Sequence, residues 1–260
     1  MLIMILKRYS LHLFLIIVFS QNVFADNALP EFTAKYAIQK FGIKLAEAEY
    51  QLRYTDTGYK FTQKTKLYGV ASIFRDDSVN AVSFVDNING QLLLKKHSFK
   101  QTGKEKNRDE DFAIQWHTDN EQLSGKISGM VRSQPIQHNI NTPVWEVLSF
   151  QLPLMIDAKT SKKDYPYNAL LKGEIATYNF ELTNNKTIVF ADKDYQTLHL
   201  VRKDQQKDRQ LHLWLAPAMH NLPIAIENYR DGKEHSRMQL ESVQFNNDKT
   251  ITTIENDDEF

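Results

Sequence analysis

The residues best placed by type and spacing to do chemistry are two histidines, His199 and His212, in a stretch that reads as a β-hairpin. If residues 195–202 pair with 209–215 about a turn centred on Gln205-Gln206, then Leu200 faces Leu211 and His199 lies directly opposite His212. Directly opposed Cβ atoms sit about 5 Å apart, so the two imidazoles could share a metal ion. The same register sets Lys203 against Asp208 and Asp204 against Lys207. It carries one cost, Arg202 opposite Arg209. A catalytic zinc site takes about three protein ligands and a structural one four, and nothing at a matching spacing supplies a third. The expectation is a structural pair and no metal site, on a mixed face shared with Thr197, Gln210, Val201 and Trp214.

Other chemical signatures are absent from the sequence. There is no Gly-x-Ser-x-Gly elbow, no His-Glu-x-x-His, no phosphate-cradling glycine loop and no calcium loop. The paired acids Asp76-Asp77 and Asp109-Glu110-Asp111 could serve acid and base work, but they stand at strand entries and read as solvated turn acids. The chain has no cysteine, which removes thiol catalysis, thiolate metal sites and redox exchange. The expectation is a protein that is not an enzyme, with no catalytic residues, no cofactor and no binding residues assignable from sequence.

The elements that must position these residues are strands. Phe32, Ala34, Tyr36 and Ile38 alternate with more polar neighbours up to Phe41-Gly42, the period-two pattern of a half-buried strand. Residues 43–54 continue it with a change of phase between Leu45 and Tyr50, which predicts a bulge or bend. Asp56-Thr57-Gly58 turns into 59–68. Residues 79–85 and 91–100 flank Asn89-Gly90, a strong hairpin signal because this dipeptide accepts positive φ. Phe112, Ile114 and Trp116 alternate before a polar turn at 117–121. Further strands are predicted at 174–182, 187–190, 195–202, 209–215, 224–230 and 233–245, the last two joined by Asp231-Gly232.

One segment departs from this period. Thr142-Pro143 resembles an N-cap followed by proline at the first helical position, and Val144, Val147, Leu148 and Leu152 recur at helical spacing up to Pro153. This predicts a helix near 143–152, buried against a sheet or capping it. Residues 159–164 are the best candidate linker, yet composition does not change across them, so one domain over 26–245 is expected. The acidic end, 246–260, is expected to fray.

The first 25 residues bear on location. Lys7 and Arg8 precede the apolar stretch 11–19, and Val23-Phe24-Ala25 follows a polar patch, the layout of a secretory signal peptide with the mature chain starting near Asp26. The alternative is an uncleaved anchor, but a membrane span needs about 20 apolar residues and His12 and Ser20 bound this run. The expectation is a soluble periplasmic protein, with no membrane span after cleavage and no lipidated cysteine. The 32 basic and 32 acidic residues balance, so there is no global field to gather nucleic acid. Lys95-Lys96, the basic run 104–108 and Arg202-Lys203 read as solvated charges. An exported chain without disulfides must rely on packing, and its 15 Phe, 11 Tyr and 3 Trp provide the bulk. Trp116, Trp145 and Trp214 are expected mainly in the core, with an apolar cavity as the alternative.

Leu213-Trp214-Leu215-Ala216-Pro217, then Asn221-Leu222-Pro223-Ile224-Ala225-Ile226 and the Asp231-Gly232 turn, resemble the C-terminal part of the exported bacterial family DUF3108. Phe32-Thr33-Ala34-Lys35-Tyr36 with Phe41-Gly42-Ile43 is similar to that family's opening. The resemblance spans nearly the whole mature chain. It implies an all-β spiral roll, a strongly curved antiparallel sheet or half-open barrel, akin to periplasmic envelope-integrity proteins and in shape to lipid carriers. It supplies no catalytic residues; Trp214 and Pro223 would end one strand and begin the next. The expected function is a non-enzymatic envelope module that binds an envelope protein or cell-wall component, the alternative being a carrier of a lipid or other hydrophobic ligand.

Overall fold

The computed structural model describes residues 28–69, 72, 77–88, 90–103, 107–119, 122–160, 162–204, 208–246 and 251–253. The expected signal peptide, Asp76, Asn89, Lys104, Gln205-Gln206 and the end beyond 253 lie outside these residues. Seventeen strands form a single curved sheet. The first half of the chain is a meander of β1 (Phe32–Lys40), β2 (Ile43–Thr55), β3 (Gly58–Leu67), β4 (Ser78–Ile88), β5 (Gln91–Gln101), β6 (Glu110–Asp119), β7 (Gln122–Val131) and β8 (Gln134–Ile140). Each pairs antiparallel with the next.

The second half runs through β9 (Val144–Trp145), β10 (Asp164–Leu171), β11 (Glu174–Leu182), β12 (Lys186–Phe190), β13 (Lys193–Asp204), β14 (Arg209–Ala216), β15 (Leu222–Arg230), β16 (Lys233–Phe245) and β17 (Ile251–Thr253). β16 returns to pair with β1, placing the first strand in the middle of the sheet. Followed outward from β1, the pairings run on one side to β8 and on the other to β9, which are adjacent in sequence. They are bridged without a ladder: Nε2 of His138 in β8 donates to the Gly173 carbonyl in the β10–β11 turn at 2.7 Å. The roll is all-β and nearly closed, as the sequence predicts.

Alternation explains the inside and outside of this roll. Phe32, Ala34 and Tyr36 of β1 and Leu52, Tyr50 and Ala48 of β2 are buried and face one another in register. The phase change in β2 is a bulge at Leu45, where the β1 partners step from Ala46 to Lys44. The turn expected at 117–121 begins later, because β6 extends to Asp119. β7, β8 and β10 carry no strong sequence signal. Gly125 and Gly129 dilute the pattern of β7, yet a Cβ at Gly129 would collide with the backbone oxygen of Asp111, so close packing against β6 demands glycine there. The stretch 159–164 divides nothing, since β10 continues the same sheet. Part of the tail is also ordered by pairing, β17 lying against Ser242–Gln244 of β16.

The helix is present and buried but begins at Gln151 rather than Pro143; α1 spans Gln151–Asp157. Val144-Trp145 instead pair in parallel with β10. The Glu146 carboxylate then takes the backbone N–H groups of Leu148 and Ser149 at 2.6 and 2.8 Å, building a turn where the sequence suggested helix. Pro153 sits in the first helical turn, where its missing N–H would have no intrahelical partner anyway. α1 fills the roll with Leu152, Leu154 and Met155, and Phe150 stacks on Phe180 at 5.4 Å. Asn221 Nδ2 donates to the Met155 carbonyl and fastens the helix to the β14–β15 connection.

Candidate functional site

His199 and His212 do meet, though by a different register. β13 and β14 pair Leu198 with Leu215 and Val201 with His212, so His199 faces Trp214 and the two histidines are diagonal neighbours. The slip is two residues, which preserves the face. Nε2 of His199 lies 3.0 Å from Nδ1 of His212. His212 Nε2 donates to Gln210 Oε1 at 2.9 Å, which leaves its Nδ1 as the acceptor from His199. Nδ1 of His199 lies 2.6 Å from the Thr183 hydroxyl, which donates to the His199 carbonyl at 3.0 Å. All four ring nitrogens are thus engaged with protein, and among the described residues no set of three His, Cys, Asp or Glu gathers to hold a metal.

This outer patch is also stacked. His199 lies on Trp214 at 3.6 Å and 5°, and His212 lies 4.5 Å from the Tyr229 ring. Burial, followed by the neighbouring His212 and Lys186, pushes His199 down to about 4. Burial also lowers His212, against the opposing pull of Glu227. The pair is neutral at ordinary pH and its hydrogen bonds run in one direction, a structural arrangement.

A second constellation was invisible in sequence. Ser83, His97 and Glu146 are 0, 2 and 2 % exposed and come together from β4, β5 and the segment after β9. The Ser83 hydroxyl donates to Glu146 Oε1 at 2.7 Å, and His97 Nδ1 lies 3.0 Å from the same hydroxyl. With the serine proton aimed at the carboxylate, Nδ1 must donate to the serine oxygen. That is the reverse of a nucleophile and its base, which requires the imidazole to accept that proton. The group is sealed in the core and ties the inserted segment to the wall.

The concave feature lies at the end of the roll formed by the β7–β8, β10–β11, β13–β14 and β15–β16 turns. It is an open cavity of about 850 Å³, within the 300–1,000 Å³ range common for ligand pockets. Phe150, Leu170, Tyr178 and Leu211 give it an apolar lining, with the exposed Val147 beside them. Arg132, Lys172, Arg202, Arg209 and Arg230 also line it, against one carboxyl, Glu110, among the described residues. Burial first, and then the charge of Glu146, raise Glu110 to about 7, although Arg132 pulls the other way. None of the tryptophans contributes: Trp145 is core, Trp116 donates to the Leu94 carbonyl, and Trp214 is on the outer face.

Two charges therefore depart from their expected solvated roles. β13 runs on to Asp204, so Arg202 remains inside the ladder on the same face as the buried Leu200 and lies 3.4 Å over the Tyr178 ring. Glu110 opens β6 and is half-buried at the cavity. The signal that could have found this site was the arginine clash in the expected hairpin. The observed register moves it one strand on: Asp204 faces Arg209, and Arg209 faces Arg230 of β15.

Comparison with known proteins adds the lineage. Residues 31–253 match the family described as protein of unknown function DUF3108. The chain belongs to this family. Among curated proteins none is similar in sequence. A solved structure, the β-barrel-like protein of the domain of unknown function DUF1849 from Brucella abortus, shares the fold at TM-score 0.51 and 8 % identity, covering 84 % of this chain and 98 % of the other. In this DUF3108 protein the family-like C-terminal residues are structural. Leu213–Ala216 end β14, Pro217–Met219 make one 3-10 turn, and His220 and Asn221 take positive φ before Leu222 and Pro223 open β15. The Tyr36 hydroxyl donates to the Pro223 carbonyl at 2.9 Å, linking the family's opening and closing motifs.

Proposed function

We propose that this DUF3108 protein is a non-enzymatic binding protein of the cell envelope, exported to the periplasm, which holds a small ligand with an apolar body in the cavity at one end of the roll. The observation that carries the reading is the cavity itself. A short acyl chain with its headgroup suits a cavity of this volume. α1 and the aromatic core fill much of the interior, and a second, smaller hollow of about 400 Å³ lies beside Trp145 and Tyr167. The export signal supports the envelope assignment, and the nearly closed roll supports a container over an extended scaffold.

The docking role toward another envelope component is favoured by a separate observation. Phe41 and Ile43 in the β1–β2 turn are 80 and 65 % exposed at the same end of the roll as the cavity, an apolar display that isolated solvated turns do not need. A cavity with such a rim suits a protein that receives or hands over its ligand against a partner surface.

The test is mass spectrometry of organic extracts from protein purified out of native envelopes, together with calorimetric titration of a panel of single-chain amphiphiles. The reading expects a co-purifying small molecule or saturable one-to-one binding. An empty protein that binds no member of the panel overturns it.

A further inference from the structure

We propose that the cavity takes an anionic amphiphile, its acidic headgroup held by Arg202, Arg209 and Arg230 and its apolar body lying against Phe150, Leu170 and Leu211. This rests on the binding-protein reading above and adds the polarity of the ligand to it.

Charge distribution is the first argument. The chain as a whole carries 32 basic and 32 acidic residues, yet the cavity is lined by five permanent cations and one carboxyl. Its carboxyl is raised to about 7 by burial and then by Glu146, so near neutral pH it cancels little of that charge and in its protonated form can donate a hydrogen bond. Among the residues whose side chains are described, which do not include Asp204 opposite Arg209, none of the five cations has an ion-pair partner. The field is felt at the rim, where His235 is lowered by loss of hydration and then by Arg230, Lys40 and Arg209.

Geometry is the second. Arg209 and Arg230 are direct cross-strand partners, an arrangement that disfavours an antiparallel ladder because two like-charged side chains start from Cβ atoms about 5 Å apart. Arg202 faces Leu211, which places it diagonally from Arg209 on the same inward side. Three arginines from three adjacent strands therefore stand on one face and line the same cavity. Arg202 lies over Tyr178, a stacking that holds a planar fork and leaves its edge donors directed away from the ring. Such forks match carboxylate and phosphate oxygens in paired hydrogen bonds. Arg209 and Arg230 are solvent-exposed at the mouth and Arg202 is half-buried, so an acidic headgroup can reach all three from outside while an uncharged guest gains nothing from them. The apolar lining beside the arginines separates this site from one for a free inorganic anion, which gains nothing from Phe150 or Leu170.

The experiment uses the mature full-length protein and three probes: dodecanoyl lysophosphatidic acid, monododecanoyl glycerol of the same chain but no charge, and inorganic phosphate. Calorimetry below micelle-forming concentrations gives each Kd. The acidic amphiphile should bind about tenfold or more tightly than the uncharged one, as expected for charge-assisted hydrogen bonds, and phosphate far more weakly than either. In an R209Q/R230Q variant that preference should fall to within about threefold, with a melting temperature no lower than that of the parent. Equal affinity for the two amphiphiles, or a preference that survives R209Q/R230Q, overturns the headgroup assignment while the cavity remains a binding site. Phosphate binding as tight as the acidic amphiphile overturns the apolar part and points to a soluble anion. Failure of all three probes to bind overturns both this inference and the reading it rests on.

Discussion

The outward patch around His199 and the inward mouth around Arg209 are neighbours on the same two strands and have opposite character. Every nitrogen of the two histidines has a protein partner, and the rings are stacked between Trp214 and Tyr229. On the other face of β14, Arg209 stands directly opposite Arg230, and both are exposed at the mouth of the cavity. A hydrogen-bonding group whose capacity is filled by the protein has little left for a ligand. Like charges placed opposite one another across a ladder cost stability, and such local inconsistency is where function is expected. Residue type pointed to the histidines; the state of satisfaction points to the arginines.

The sharpest challenge to this contrast is the most completely satisfied group of all. Glu146 accepts from Ser83, Leu148 and Ser149 in the core, so Glu146→Ala should cost about 3 kcal/mol, since it strands buried donors and leaves a void. Urea unfolding measures it, and a loss under about 1 kcal/mol would show that saturation is no guide to structural importance here.

Next in size is the response of the histidine patch to acid. The folded-state value of His199, about 4, is below the unfolded value of about 6.5. The unfolded chain therefore binds more protons between these values, so the stability contributed by neutral His199 is complete above about pH 6.5 and is lost as pH falls through about 4. With solvent screening of a partly exposed group, the loss should be roughly 1 to 2 kcal/mol. Thermal unfolding between pH 7 and 4 should show a steeper decline for the parent than for His199→Gln. Parallel curves would remove the histidine from the acid response.

The smallest effect has the opposite sign. Arg209→Gln removes a like-charge cross-strand pair and should raise stability by about 0.5 kcal/mol at low salt, with the gain shrinking as salt screens the repulsion. Destabilisation by that substitution would mean that Arg209 is already compensated and that the two faces do not differ as described.

Much of the roll was legible because alternation is a local property. β11 and β16 fall at the bounds the pattern predicts, and the phase change in β2 is a real bulge. β7 escaped because its close approach to β6 replaces apolar residues with Gly125 and Gly129. The helix moved to Gln151–Asp157 because a buried carboxylate reorganised the turn before it, and the identity of the groups around Glu146 depends on β4 and β5, distant in sequence. In the hairpin of β13 and β14, parity was readable but register was not. A two-residue slip leaves every side chain on its face, so hydrophobic patterning cannot distinguish the two pairings.

By itself the sequence determined the strand periodicity, the inward and outward faces, the absence of cysteine chemistry and the membership of His199 and His212 in one surface. These follow from residue types a few positions apart. Tertiary structure alone decided that Arg202, Arg209 and Arg230 converge with Lys172 and Arg132 on a single cavity. Their proximity is set by the curvature of the sheet, which brings turns remote in sequence to one mouth, and charge acts through space.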